Sequence, residues 1–133
     1  MSAYVSTART SALLAASEPY RRARLMAADM LTVAQAACYA RTDVAAIGVW
    51  IASGRVIALK ERRTSYRLPR WQFDPAIWEA IPRVIMALNT THGWALMTFL
   101  ESPCGALGGR TPRHAIEQGH LRQVLLACAA EGH

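Results

Sequence analysis

The sequence has little charge and no long uninterrupted apolar run. Of its 133 residues, 18% are charged and 53% are hydrophobic, which excludes a long disordered chain and suits one domain or two small modules that share a core. The longest stretch without a charged residue, between Arg83 and Glu101, is interrupted by polar residues and glycine at 89–93, so no transmembrane helix is expected. The first residues lack a basic segment followed by an apolar core, which predicts no export signal and a cytoplasmic location.

Cysteine is also scarce. Cys38, Cys104 and Cys128 cannot form a closed set of disulfides, and none belongs to a C-x-x-C pair, which indicates reduced thiols in a cytosolic protein. The spacings among Cys104, His114, His120 and Cys128 match no standard zinc site, so no metal is expected. Cys104 and His114 could pose as nucleophile and base, but nothing in the sequence orients the histidine, and no catalytic activity or cofactor is predicted.

Lysine is nearly absent, because fourteen of the fifteen basic residues are arginine. The charge is also uneven along the chain. Residues 1–73 carry 11 basic and 4 acidic side chains, a net charge of +7, whereas residues 74–133 carry 4 and 5, a net charge of −1. This asymmetry predicts an anionic partner for the first part only, and the planar guanidinium of arginine suits phosphate.

A helix-turn-helix is predicted over residues 32–54. Thr32 and Gln35 have the spacing of a capping box at the start of the first helix. Residues 41–43 form a turn, with Thr42 expected to cap the second helix, and apolar residues recur at 44, 47 and 51. Gly54 then has the position of a terminating glycine.

Two alternating segments, at 56–61 and 66–68, predict a β-hairpin directly after the helix-turn-helix. In that position a hairpin serves as a wing, and its tip would present Arg62 and Arg63. Together with Lys60 and Arg67, these side chains are candidates for clamping a DNA backbone. The alternative is an ordinary solvated hairpin face.

The flanking segments complete the predicted organisation. Residues 1–29 are a helical or mobile segment, with helix favoured at 12–16 and again from Pro19 onward. Residues 30–73 comprise the helix-turn-helix, the wing and a linker that contains Trp71 and Phe73. Those aromatic rings are expected to pack between the two halves, the alternative being stacking on a base or ligand. Residues 74–133 form helices.

The C-terminal half has several helix signals. Asp74-Pro75 and Thr111-Pro112 each pair an N-cap with a first-turn proline. Pro82 is expected to kink or divide the first of these helices, and Thr91 to cap the next. Residues 105–110 could be mistaken for a phosphate loop, but they lack its lysine and a preceding strand, which favours a tight turn with left-handed glycines. The fold class is therefore mostly α: a winged helix-turn-helix with one β-hairpin, followed by a small helical bundle.

Two segments resemble a known family. Leu107-Gly-Gly-Arg-Thr-Pro112, followed by Ala115-Ile116, Gly119 and Val124-Leu125, resembles the toxin-binding domain of Xre/MbcA/ParS-type antitoxins. Pro69-x-Trp-Gln-Phe73 is similar to the linker of those members whose N-terminal domain is an excisionase- or MerR-like helix-turn-helix.

The resemblance implies an antitoxin of a type II toxin–antitoxin pair. The C-terminal domain would block the active site of a cognate toxin, commonly a RES-domain protein that consumes NAD, and the N-terminal domain would bind the promoter of its own operon. The implied DNA-binding residues are Arg41, Thr42, Asp43, Lys60, Arg62, Arg63 and Arg67. The implied toxin-binding residues are Gly108, Gly109, Arg110, Thr111 and Pro112, among which Arg110 would project from a rigid turn toward a carboxylate or a substrate-phosphate site.

The second helix of the helix-turn-helix departs from the family pattern. Members usually place Arg, Gln, Lys or Ser where side chains meet base edges, but the candidates here are Asp43, Ala45, Ala46, Gly48 and Val49. These offer almost no donors to bases, which leaves the wing to bind phosphates. The alternative function is a DNA-independent adaptor whose helix-turn-helix has become a dimerisation surface. In either case the apolar surface of Val49 and Trp50 predicts a homodimer.

Overall fold

The computed structural model describes residues 18–131, and over these residues the chain is mostly helical with one small sheet. The helices of the first half are α1 (Glu18–Leu25), α2 (Val33–Tyr39) and α3 (Val44–Ser53). The strands are β1 (Met30–Thr32), β2 (Leu59–Arg62) and β3 (Ser65–Pro69). The helices of the second half are α4 (Pro75–Leu88), α5 (Gly93–Glu101), α6 (Pro112–Glu117) and α7 (Leu121–Glu131). The helix proposed at 12–16 lies outside the described residues.

The predicted hairpin is present as β2 and β3, but it belongs to a three-stranded antiparallel sheet in the order β1-β3-β2. The additional strand, β1, was not expected; it pairs Met30 with Pro69 and Leu31 with Leu68. The strand β1 thus makes β3 the central strand of the sheet, and Leu68 on β3 is fully buried. The wing is thereby tied to the chain that enters the helix-turn-helix, which makes it a rigid part of the first half.

The helix-turn-helix forms with mostly the predicted capping. The Thr32 hydroxyl accepts from the Gln35 N–H at 3.1 Å, and the Gln35 side chain accepts from the Thr32 N–H at 2.9 Å. The expected cap of α3 was wrong: Asp43, not Thr42, accepts from the Ala46 N–H at 2.7 Å. A carboxylate favours that position because it is both a short acceptor and a charge that complements the positive end of the helix.

The larger hydrophobic cluster includes residues from both halves. Met30, Ile57, Leu59 and Trp71 pack with the buried faces of α4 to α7. A smaller cluster lies within the helix-turn-helix and the sheet, around Ile47. The predicted boundary at 73/74 stays a prediction, although the larger cluster draws on both sides of it.

The segment predicted as a linker forms a 3-10 helix, Arg70–Phe73, that carries part of the core. Trp71 is buried in the larger cluster and Phe73 packs against the smaller one, which confirms the expectation that these rings pack between the halves. Between them, Gln72 is fully buried. Its amide accepts from the Ile57 N–H at 2.7 Å and donates to the Ile57 carbonyl at 2.8 Å. One side chain thus satisfies both backbone groups of a buried residue that lies before β2 begins.

Pro82 does not divide the helix, because α4 runs continuously from Pro75 to Leu88. Proline has no N–H, so the carbonyl four residues earlier, at Trp78, loses its helical partner. Here the Arg55 Nη2 donates to that carbonyl at 2.8 Å, and the guanidinium lies 3.5 Å from the centre of the Trp78 ring. The arginine after α3 therefore supplies the hydrogen bond that the proline removes.

The start of α5 was also predicted at the wrong residue. His92, not Thr91, is the N-cap, and its Nδ1 accepts from the Ala95 N–H at 3.4 Å. The first residue of α5, Gly93, lies against the hairpin: a Cβ at this position would be 2.3 Å from the Ala58 carbonyl oxygen. A glycine is required there by contact between α5 and the backbone before β2.

We expect Gln72→Leu to lower the free energy of unfolding by about 3 kcal/mol. The change leaves the N–H and the carbonyl of Ile57 buried without partners, at a cost of roughly 1–3 kcal/mol each. Urea unfolding followed by circular dichroism measures the difference. Arg122→Leu on the exposed face of α7 is the control, with an expected loss below about 1 kcal/mol. Equal effects of the two substitutions would contradict the role given to Gln72.

Candidate functional site

The hairpin brings three of the predicted DNA-binding cations together. Lys60 and Arg62 lie on β2, Arg63 lies in the turn that follows, and all three side chains are exposed. The pairing of Leu59 with Arg67 and of Lys60 with Tyr66 fixes the base of the hairpin. The tip therefore presents a compact positive surface on a rigid support, as phosphate binding requires.

Arg67 does not belong to that surface. Its Nε donates to the Glu61 Oε2 at 2.9 Å, and both side chains are half-buried. The bond to this guanidinium holds the pKa of the Glu61 carboxyl below its usual range. The acidic residue of the hairpin is thus neutralised within the hairpin, which leaves the exposed cations at the tip unopposed by it.

The three residues predicted to contact DNA in the turn before α3 differ in how available their side chains are. Arg41 is exposed and adopts a left-handed conformation, with φ 58°, which directs the chain out of α2. Thr42 is half-buried, and its N–H donates to the Ala37 carbonyl at 2.9 Å. Asp43 uses its carboxylate as the cap of α3. Of the three predicted contacts in this turn, Arg41 alone offers an exposed cation.

The outer face of α3 is apolar and small. Its exposed residues include Val44 and Val49, with 55% and 64% of their surface accessible, together with Ala45, Gly48 and Ala52. The Ser53 hydroxyl donates to the Trp50 carbonyl within the same helix. No side chain on the exposed face of this described helix offers a hydrogen-bond donor suited to reading base edges.

Trp50, expected to widen this apolar surface, is instead turned toward the second half of the chain. Its ring lies 5.0 Å from that of Trp78, which stacks on Phe73 at 5.6 Å, and Tyr39 follows at 6.1 Å. This aromatic row joins the helix-turn-helix to α4. Val49 therefore remains exposed, whereas the Trp50 ring packs against Trp78 within the molecule.

The helix α1 carries arginines that the sequence analysis assigned to no site. Arg24 points inward: it donates to Asp29 at 2.6 and 2.8 Å and to Glu101 at 2.9 and 2.6 Å. One turn earlier, the guanidinium of Arg21 lies 5.1 Å from the centre of the Trp94 ring. Two arginines thus hold α1 against α5. The three-residue spacing of Arg21 and Arg24 is the signal that they share one helical face.

The glycine loop before α6 adopts the predicted conformation. Gly108 and Gly109 have φ angles of 68° and 85°, and a Cβ at either would meet no atom within 4 Å. Glycine is therefore favoured at these two positions by the positive φ angle and not by close contact with neighbouring atoms. The Thr111 hydroxyl caps α6 by accepting from the His114 N–H at 3.1 Å, and Pro112 is buried at the first helical position.

Arg110 does not project freely from this loop. Its Nε donates to the Leu107 carbonyl at 2.8 Å, and its two terminal nitrogens contact Gln118, His120 and Gln123 at 2.7, 2.8 and 3.2 Å. The guanidinium thus ties the glycine loop to the start of α7. These three partners could not be predicted from the sequence, because they lie eight to thirteen residues away and no helical period relates them to Arg110.

The three cysteines differ in their exposure. Cys38 is exposed, Cys104 is half-buried and Cys128 is buried. Among residues 18–131, no three histidine, cysteine or acidic side chains come together as a metal site would require. No helix in the same stretch is long and apolar enough to span a membrane.

Comparisons with protein-family models, with curated proteins and with solved structures return no match to this chain. The resemblance of the glycine loop and linker to the antitoxin family thus rests on the sequence motif alone.

The ion pair of Asp29 with Arg24 should make the stability of the protein depend on pH. The bond to Arg24 holds the pKa of the Asp29 carboxyl below its usual value, which is roughly 4 in the unfolded chain. The unfolded state therefore binds the proton more readily, so this contribution to stability is present above about pH 4 and is lost as the pH falls through the folded value. We expect Asp29→Asn to flatten the loss of stability on acidification, measured by urea unfolding between pH 6 and pH 3.

Asp74→Asn is the matched control, because Asp74 is exposed and its side chain makes no capping hydrogen bond. Its acid profile should follow that of the wild type. If Asp29→Asn follows it as well, the ion pair does not stabilise the docked α1.

Proposed function

We propose that this chain is the antitoxin of a type II toxin–antitoxin pair, acting in the cytoplasm as a homodimer without catalytic activity or a cofactor. The first half binds promoter DNA and the second half neutralises a toxin by direct contact. The observation that carries the DNA-binding part is the exposed cluster of Lys60, Arg62 and Arg63 on a hairpin that follows a helix-turn-helix.

The DNA contact would be made chiefly to phosphates. The hairpin tip is cationic, whereas the outer face of α3 lacks donors for bases and carries a carboxylate, Asp43, at its start. Phosphate contacts position a protein on DNA but carry little sequence information. Arg41, exposed in the turn before α3, would offer a further cation to the phosphates.

The toxin contact would be made by the exposed backbone of the glycine loop. Gly108 and Gly109 are exposed, and residues 74–133 carry a net charge of −1, which disfavours DNA as the partner of this half. Arg110 would act by holding the loop in shape through its bonds to Leu107 and α7, with Thr111 and Pro112 fixing the start of α6. A RES-type, NAD-consuming toxin is the partner that the sequence resemblance implies.

We expect the double variant Arg62→Ala/Arg63→Ala to weaken binding to duplex DNA about equally for all sequences. Each phosphate contact contributes about 0.9 to the slope of log affinity against log salt, so the slope should fall by roughly 1 to 2 units. Fluorescence anisotropy with the upstream promoter fragment and a scrambled duplex, over a series of NaCl concentrations, measures both effects.

Arg83→Ala/Arg122→Ala removes the same charge from exposed sites on α4 and α7 and serves as the control. Equal slopes for the two double variants would remove the hairpin tip from the DNA interface.

We expect Arg110→Ala to reduce toxin neutralisation at least thirty-fold, or about 2 kcal/mol, because the loop loses the four hydrogen bonds that set its shape. Growth rescue on co-expression with the toxin from the adjacent reading frame, together with pull-down affinity, measures the loss. Arg122→Ala, on the exposed face of α7, is the control.

Circular dichroism and melting of Arg110→Ala separate the two possible causes. A folded variant that neutralises the toxin fully would exclude the loop from the toxin contact. A variant that no longer folds would assign Arg110 to the stability of the domain.

A second candidate is favoured by the apolar outer face of α3. Val44 and Val49 are exposed on a helix that offers no donors, as expected of a DNA-independent adaptor that dimerises through its helix-turn-helix. Wild-type protein that forms a dimer by light scattering but fails to shift the promoter fragment at low salt would favour this candidate over the first.

A further inference from the structure

We propose that α1 supplies a second DNA-binding element, and that the groove between α1 and the hairpin binds the phosphate backbone of the DNA that the hairpin tip contacts. This inference rests on the proposed DNA binding. The groove has a volume of about 570 Å³. Arg21 and Arg22 line it from α1, Lys60 and Arg62 from β2, and Trp94 from α5.

The charge of the groove is positive despite two acidic residues. Four cations face Glu18 and Glu61, and the carboxylate of Glu61 is already paired with Arg67 at 2.9 Å. Cations that converge from two separate elements on one open groove form the kind of surface that follows a nucleic-acid backbone. A cationic ligand would meet mostly like charge here.

The α1 wall of the groove is held in place before any ligand arrives. Arg24 anchors α1 to Asp29 and Glu101, and Leu25 packs against the larger hydrophobic cluster. The Trp94 ring fixes the position of the Arg21 guanidinium, which lies 5.1 Å from its centre. Binding therefore does not have to order the helix, which favours affinity.

The groove is continuous with the hairpin tip because Arg62 belongs to both. DNA carries one phosphate per roughly 3.4 Å of axis along each strand. A strand that contacts Arg62 at the tip consequently offers its neighbouring phosphates to Lys60 on one wall and to Arg22 on the other. In this arrangement the exposed Arg22, to which no role was assigned above, contacts a DNA phosphate.

The test is the variant Arg22→Gln in the full chain, with a 30-base-pair duplex of arbitrary sequence as the probe, because Arg22 lines the groove from α1 and is not part of the hairpin tip. Its side chain is exposed, so we expect the fold to be retained, which circular dichroism checks. We expect the salt slope of binding to fall by about 1 unit, equally for unrelated sequences. The control Arg83→Gln, with the same loss of charge on the exposed face of α4, should keep the wild-type slope.

The outcomes separate this inference from the proposed function. If wild-type protein binds the duplex and the tip variant weakens it, but the groove variant matches the control, the groove proposal is overturned and DNA binding stands. If wild-type protein fails to bind the duplex at 50 mM NaCl, both fail.

A competition arm distinguishes a DNA backbone from free phosphate as the ligand. Sodium phosphate at the same ionic strength as NaCl should displace the duplex no better than NaCl does. Displacement at low millimolar phosphate, lost in the groove variant, would instead make the groove a site for a small anion and overturn the proposal.

Discussion

The two hydrogen bonds between the Gln72 amide and the backbone of Ile57 fix the segment through which the first half of this molecule joins the second. They fasten the 3-10 helix after β3 to the chain before β2, and so place Trp71 and Phe73 in their separate clusters. Arg55 adds a parallel connection by bonding the Trp78 carbonyl that Pro82 leaves free. The Gln72 bonds are buried, so losing them would leave the N–H and the carbonyl of Ile57 without partners, whereas the Arg55 bond is partly buried.

Local signals in the sequence were sufficient to predict most of the helices. The capping box of Thr32 and Gln35, the terminating Gly54 and the Thr111-Pro112 start are each satisfied by neighbouring atoms, so short-range chemistry specifies them. The strand β1 could not be predicted in this way, because three residues show no period and its partner lies nearly forty residues later. The uninterrupted α4 was missed for a similar reason: the donor that compensates Pro82 comes from a distant arginine.

Prediction of the candidate sites was weaker, because an arginine in the sequence does not reveal what its guanidinium binds. Arg67 and Arg110 were assigned to partners outside the chain, yet both bond to acceptors within it. No site was predicted for Arg24, and it lies between two carboxylates, of which Glu101 is 77 residues away. Exposed Lys60, Arg62 and Arg63 were predictable because a hairpin tip has few neighbours to engage them.

The donor-poor outer face of α3 has a consequence for how the proposed protein would find its target. A protein that binds DNA through phosphates alone has nearly the same binding free energy at every position along the duplex. It therefore slides and hops along the DNA and does not stay at one site. Its dwell time on DNA would then depend on ionic strength and on how many subunits of an oligomer bind the DNA at the same time. A second tethered contact raises the avidity without adding any recognition of sequence. Occupancy of a promoter would follow from assembly size more than from the operator sequence.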